Sequence, residues 1–250
     1  MLDIKIINGT VFDGLGREGV VGDVGICGDH IYDVGNLKGF EANVTIDATD
    51  LYVCPGFIDA HSHSDTYILI EPDSPSKIFQ GITTEIVGNC GASAAPLYGD
   101  YQMPSDWKEK EYPSDWITVG EYRNLLESIT PGPNIVLLVG HNTLRAGVMG
   151  YDAREATQEE VKLMKKRLEA SFDEGAAGLS TGLVYSPGMF ASSREIVALA
   201  GLMSNAGKIY TSHMRSESYG LLDAIEETCD IGRESNCRVQ ISHFKTSGKD

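Results

Sequence analysis

Two histidines separated by one serine stand inside F-I-D-A-H-S-H-S-D, residues 57–65. Histidine and cysteine are the ligands that borderline-soft divalent ions such as zinc prefer. Residues two apart on an extended segment share a face, so His61 and His63 can turn toward one ion. Asp59 and Asp65 fall on the same parity, where a carboxylate can support an imidazole from behind. Alone, such a pair is more often a polar strand end than a metal site. Cys90 in G-N-C-G, His213 in S-H-M-R and His243 in I-S-H-F-K supply the convergence that an isolated pair lacks. Lys245 shares the parity of His243 and is expected to face the same region.

These side chains matter only if the fold gathers them. Six runs, residues 57–61, 84–88, 135–140, 176–183, 209–213 and 239–243, read as strands with nearly continuous apolar or small interiors. That is the pattern of parallel strands covered on both faces. Ligands of such sheets and barrels bind at the carboxyl ends of the strands. Five of the six histidines lie at these ends, His30 being the exception, and Cys90 lies at another. Between the strands, Thr118 with Glu121, Thr157 with Glu160 and Ser192 with Glu195 each read as a capping box that opens a helix. Val161, Met164, Leu168 and Phe172 make one apolar stripe, and Gly175 follows as a stop. A further helix is expected over 217–235, and 91–115 reads as a polar, proline-containing loop long enough to be a lid. Residues 1–53 have short β-rich runs between glycine turns and no helical period, so they form a small β unit ahead of a βα domain over 54–250.

The chain has 250 residues, 42% of them hydrophobic and 22% charged, enough for one large domain plus a small one. With 20 basic and 36 acidic residues the formal charge is −16, which repels nucleic-acid phosphates and anionic membranes, so neither is expected as a partner. The start M-L-D-I-K-I-I-N-G-T has no features of a signal peptide, and a cytoplasmic location is expected. Five cysteines without paired spacing point to free thiols, any of which can be a ligand.

P-G-F-I-D-A-H-S-H, G-N-C-G, G-H-N-T-L-R, L-S-T-G-L-V-Y-S-P-G, S-H-M-R-S-E and S-H-F-K recur in a known order, with Cys90 29 residues past His61 and His243 30 past His213. Over its whole length the chain resembles the N-acyl-D-amino-acid deacylase (D-aminoacylase) family of the metal-dependent amidohydrolase superfamily. The resemblance implies an α/β fold, a (β/α)8 TIM barrel of which about six βα units are visible, with the N-terminal unit as part of a small β-sandwich. It also implies zinc. Cys90 takes the place of the carboxylated lysine of hydantoinase-like relatives as metal bridge, with His213 and His243 completing a tight site and His61 and His63 defining a weaker second one. The implied reaction is hydrolysis of the amide bond of a small N-acyl-D-amino acid, giving a carboxylate and a free D-amino acid, by a metal-activated water near Cys90. Lys245 is expected to bind the substrate's α-carboxylate, Arg215 and Tyr185 to contact substrate or form the pocket wall, and His141 to be structural. The family's proton-transferring aspartate follows an eighth strand. No such catalytic residue is therefore expected here; Asp250 follows the sixth strand too closely, and the 250 residues read as a partial chain.

Three other readings compete. Residues 178–182 satisfy G-x-S-x-G, and Ser180, Asp230 and His243 have the chain order of a serine hydrolase, but an elbow needs a helix at once, whereas 183–188 continue as strand and loop. A cyclic-amide hydrolase of the dihydropyrimidinase or dihydroorotase type needs a bridging lysine after the fourth strand, where Ser180 and Thr181 stand. A scaffold without chemistry has no use for the ligand set. Oligomeric state and the side chain and acyl group accepted carry no signature at these positions.

Overall fold

The structure, a computed structural model, describes residues 1–99, 101–104, 107, 111–204 and 206–248. Its contacts divide it into two units, Met1–Phe57 and Ile58–Asp250. In the first unit, β1 (Leu2–Val11) is flanked by β2 (Val20–Cys27) and β4 (Ala42–Asp47), with β3 (His30–Gly35) outside β2 and the short β5 (Tyr52–Val53) also on β1. β1 pairs with β4 through Ile7 and with β5 from Thr10. The change of partner coincides with a register shift between Ile6 and Gly9, where Asn8 has φ 63°. Asparagine enters that left-handed region more readily than most residues, and the Asn8 side chain there donates to Asp47 Oδ1 at the end of β4 at 3.1 Å. β4 and β5 lack the clear alternation that marked the first three strands.

The second unit holds a six-stranded sheet in chain order: β6 (Phe57–Asp59), β7 (Ile82–Val87), β8 (Asn134–Gly140), β9 (Gly178–Gly182), β10 (Ile209–His213) and β11 (Arg238–Ile241). The pairings from β7 through β11 are parallel, so their carboxyl ends share one side. Short helices α1 (Tyr67–Ile70) and α2 (Pro75–Ile78) follow β6. α3 (Val119–Ile129) follows β7, α4 (His141–Met149) and α5 (Gln158–Asp173) follow β8, α6 (Ser193–Ala200) follows β9 and α7 (Leu221–Ser235) follows β10. Sequential parallel strands with helical crossovers are the arrangement of a (β/α) barrel wall. β9 is buried at every residue, as its small and apolar sequence requires. The core joins Val87, Val139, Leu179 and Tyr210 of the sheet to Tyr122, Met164, Leu168, Ile196 and Ile231 of the helices.

α3 and α5 carry the expected capping boxes at Thr118 and Thr157. The third expectation fails on both halves: Glu195 N donates to Ser192 O at 3.0 Å rather than to the Ser192 side chain, and the Glu195 carboxylate goes to His141 and Arg145. α7 begins at Leu221 rather than at 217, leaving Glu217 in the preceding turn. α4 has no counterpart in the sequence reading. Nearly every residue of it, polar ones included, is buried, so it shows no apolar stripe against a wet face. The start of the expected lid is also packed rather than polar, since Ala94 and Ala95 belong to the core and Trp116 Nε1 donates to Ala94 O at 2.6 Å. Residues 100, 105, 106 and 108–110 of that loop, and Asp250, lie outside the described residues. No helix among the described residues is long and apolar enough to cross a membrane.

Candidate metal centre

Cys90 is presented by a turn that few sequences could make. Gly88, Cys90 and Gly91 all have positive φ, 78°, 53° and 80°, and a side chain at Gly88 would collide with the carbonyl of Leu138. Ser180 holds the turn from below. Its hydroxyl donates to Gly88 O and accepts from Gly91 N at 3.0 Å, while Asn142 N and Thr143 N at the start of α4 donate to Gly91 O. Gly182 leaves space for the Cys90 carbonyl. This disposes of the serine-hydrolase reading: Ser180 is fully buried and bonded to backbone, and Asp230 pairs with Arg233.

The five ligand-type residues converge. Cys90 Sγ lies 3.4 Å from His61 Nε2 and 3.4 Å from His243 Nε2. Donor atoms of Cys90, His213 and His243 all lie within 4.8 Å of one another, as do those of His61, His63 and Cys90, so the thiol belongs to both groups. Two ligand atoms sharing one tetrahedral zinc, with bonds of about 2.0–2.3 Å, stand about 3.5 Å apart. The side chains are therefore already at ligand spacing. His61 Nδ1 and His213 Nδ1 are buried without a hydrogen-bond partner among the described residues, which is costly unless something else engages those rings. A sulfur and nitrogens around one point, with orphaned ring atoms, fit zinc.

Burial, then the neighbouring imidazoles, hold His61 and His213 down at about 4, so both rings are neutral at pH 7, the form in which an imidazole can bind a metal. Burial and the nearby Glu217 push the Cys90 thiol up to about 12, so a thiolate here would need a cation beside it. Glu217 went unassigned in the sequence although it stands four residues past His213 in S-H-M-R-S-E. Its Oε1 lies 2.6 Å from His243 Nδ1 and 3.6 Å from His213 Nε2, and its Oε2 binds Lys245. Burial would raise this carboxyl, but the Lys245 hydrogen bond and the two histidines hold it below its usual range.

The remaining expected residues separate. His63, Cys90, His213, His243, Lys245 and Tyr185 line one cavity of about 810 Å3, to which Tyr101, Met103 and Trp107 add an aromatic and apolar side. The Tyr185 ring meets the His213 ring edge at 4.8 Å. Lys245 is engaged by Glu217 and lies 3.2 Å from His243 Nδ1. Arg215 does not line the cavity: it pairs with Glu227 at 2.9 Å and donates to the carbonyls of Met189 and Ala191. Asp59 and Asp65 do not support the imidazoles either, because β6 ends at Asp59 and strand parity lapses before His61. Asp59 pairs with Lys77 at 2.6 Å, and Asp65 is sealed in the core, where burial raises its carboxyl to about 7. His141 opens α4 and is fully buried against Glu195.

Residues 44–222 match the amidohydrolase family. D-aminoacylase of Alcaligenes xylosoxydans xylosoxydans is 39% identical over 99% of this chain and 51% of its own length. Among solved structures, a D-aminoacylase studied for a binuclear metal centre, with one-metal activation and second-metal attenuation, superposes with a TM-score of 0.93 at 39% identity, over 100% of this chain and 53% of that one. N-acyl-D-glutamate deacylase from Bordetella bronchiseptica, solved with zinc and a phosphonate inhibitor, gives 0.91 at 37%, over 98% and 52%. L-hydantoinase from Arthrobacter aurescens, at 0.63 and 17% identity over 98% and 53%, shares the fold alone. The chain spans about half the length of the curated relatives it matches.

Proposed function

The chain belongs to the amidohydrolase family, and on that footing we propose that the protein hydrolyses the amide bond of N-acyl-D-amino acids, with zinc, to a carboxylate and a free D-amino acid. One observation carries the reading: a single thiol, Cys90, stands at ligand spacing from imidazoles presented after β6 and after β11. The similarity to D-aminoacylase and to two N-acyl-D-amino-acid deacylases supplies the substrate class. Hydantoinases stand much further off, at 17% identity, and β9 offers no lysine, so the cyclic-amide reading is not favoured.

In this proposal Cys90, His213 and His243 hold the tighter zinc, and His61 and His63 share Cys90 with a weaker second one. When bound, zinc supplies the Lewis acidity that polarises an amide carbonyl and makes water acidic enough to act at neutral pH. Glu217 Oε1 lies 2.6 Å from His243 Nδ1, on the side of the ring away from Nε2 and the thiol, and places its negative charge behind that imidazole. Lys245 offers an ammonium to the substrate's α-carboxylate, in exchange for its bond to Glu217. Tyr185 forms a wall of the cavity, and Arg215 acts at one remove by holding the 189–191 backbone. Glu217 is the only carboxylate lining the cavity among the described residues and is committed to Lys245 and His243. A cytoplasmic location suits a centre built on an unpaired thiol.

The test is release of D-amino acids from a panel of N-acetyl-D- and N-acetyl-L-amino acids by the full-length protein. Activity on the D series alone, lost on chelation and restored by zinc, is expected, and Cys90→Ala should abolish both hydrolysis and tight zinc binding. Undiminished zinc content in that variant, or preference for hydantoin or dihydrouracil, overturns the reading.

A further inference from the structure

The H-S-H segment lies outside regular structure, since β6 stops at Asp59 and no helix begins before Tyr67. Neither strand pleat nor helical turn therefore fixes where His61 and His63 point. A buried network underlies the segment, centred on Glu85 of β7, which is fully buried and which neither the sequence motifs nor the proposed chemistry uses. One carboxylate oxygen, Glu85 Oε2, accepts from Ser62 Oγ at 2.7 Å and from Ser64 Oγ at 2.6 Å, the two hydroxyls that bracket His63. Lys77 Nζ lies 3.1 Å from the same oxygen and 2.6 Å from Asp59 Oδ2. Asp59 Oδ1 in turn accepts from His61 N at 3.1 Å. The backbone of Ser62 is held on both sides, its N donating to Ile86 O at 3.0 Å and its O accepting from Asn89 Nδ2 at 3.4 Å. Asp59, Ser62 and Ser64, every polar residue between the β6 end and Asp65 other than the histidines, are thus tied to one buried charge.

The other ligand group is built differently. Cys90 is fixed by its glycine turn, His213 is the last residue of β10 and His243 lies 2.6 Å from Glu217; none of these touches Glu85 among the contacts above. We propose that Glu85 and Lys77, acting through the hydroxyls of Ser62 and Ser64, are positioning residues for the His61/His63 arm, and that they set the affinity of the weaker metal position independently of the tighter one. This rests on the reading of the centre as a zinc site. Partners that orient metal ligands from behind are worth about tenfold to a hundredfold in metal affinity.

Zinc titration of the metal-free full-length protein, in competition with a chromogenic chelator and with thermal unfolding run in parallel, tests it. In Glu85→Gln the second equivalent should bind ten- to a hundredfold more weakly while the first stays within about threefold. Ser64→Ala leaves the Lys77 pairs intact and keeps the test open if the Glu85 variant fails to fold; it should weaken only the second equivalent, and Ser64→Thr should restore it. A network that merely braces the sheet would instead lower the unfolding temperature and leave both affinities alone, or shift both together, and either result overturns the proposal. So does a single equivalent in the unmodified protein. No zinc binding by the unmodified protein is the distinct outcome that removes the proposed function itself, and this inference with it.

Discussion

Two glutamate–histidine pairs stand at the carboxyl side of the same sheet. His243 Nδ1 lies 2.6 Å from Glu217 Oε1, and His141 Nε2 lies 2.8 Å from Glu195 Oε1. The pairs match in length and differ in company. The far nitrogen of His243 faces the Cys90 thiol, and the second oxygen of Glu217 takes a lysine that lines the cavity. The far nitrogen of His141 is buried without a partner among the described residues, and Glu195 shares its charge with Arg145, itself fully buried and donating to the carbonyls of Pro187 and Arg154. Burial alone would raise the Glu195 carboxyl, but the bond from His141 and the charge of Arg145 hold it below its usual range. A carboxylate behind an imidazole is therefore no signature of a metal site by itself. The same pairing stands beside a cavity where the other nitrogen meets a thiol, and closes a core where it does not.

The contrast can be broken most sharply from the sealed side. Glu195→Ala strands Arg145 and His141 in the interior, and a loss of about 3–5 kcal/mol is expected in denaturant unfolding. Zinc stoichiometry of the protein that remains folded should not change; a variant of full stability that has lost zinc would reverse the two roles. At the open pair, Glu217→Gln should do the opposite. Zinc affinity should fall about ten- to a hundredfold, or about 1.4–2.8 kcal/mol, with unfolding of the metal-free protein within about 0.5 kcal/mol of the original. Equal losses in both measurements would make Glu217 another structural anion.

The smallest effect separates the ligand rings by pH. His61 and His213 are held at about 4 in the fold against 6.5 in the unfolded chain. Between those values the unfolded chain binds more protons, so the contribution of these rings to metal-free stability is complete above pH 6.5 and is lost as the pH falls toward 4. About 1 kcal/mol per ring is expected after allowance for solvent screening. His213→Gln should flatten the fall in the unfolding midpoint between pH 7 and 4, and an unchanged slope would place the proton uptake elsewhere.

The sequence alone determined which histidines and which cysteine could gather, their spacing and the side of the sheet on which they stand. Strand runs, two of the three capping boxes and the α5 stripe are local patterns, legible because a period of two or about 3.6 residues is written within a few turns of chain. Strand limits were less legible, and they mattered: parity carried past Asp59 placed two carboxylates behind His61 and His63, whereas the chain leaves the strand first and the nearby hydroxyls of Ser62 and Ser64 bind Glu85. Only the tertiary structure could decide among like residues. His141 and His213 each stand at the end of a buried apolar run, yet one opens a helix that is buried all round and the other ends a strand beside Tyr185. Glu195 left its helix cap and Glu217 became the hinge of the site for the same reason. A buried charge goes to whichever partner the packed elements bring within bonding distance, and that partner lies 54 residues away in the first case and 26 in the second.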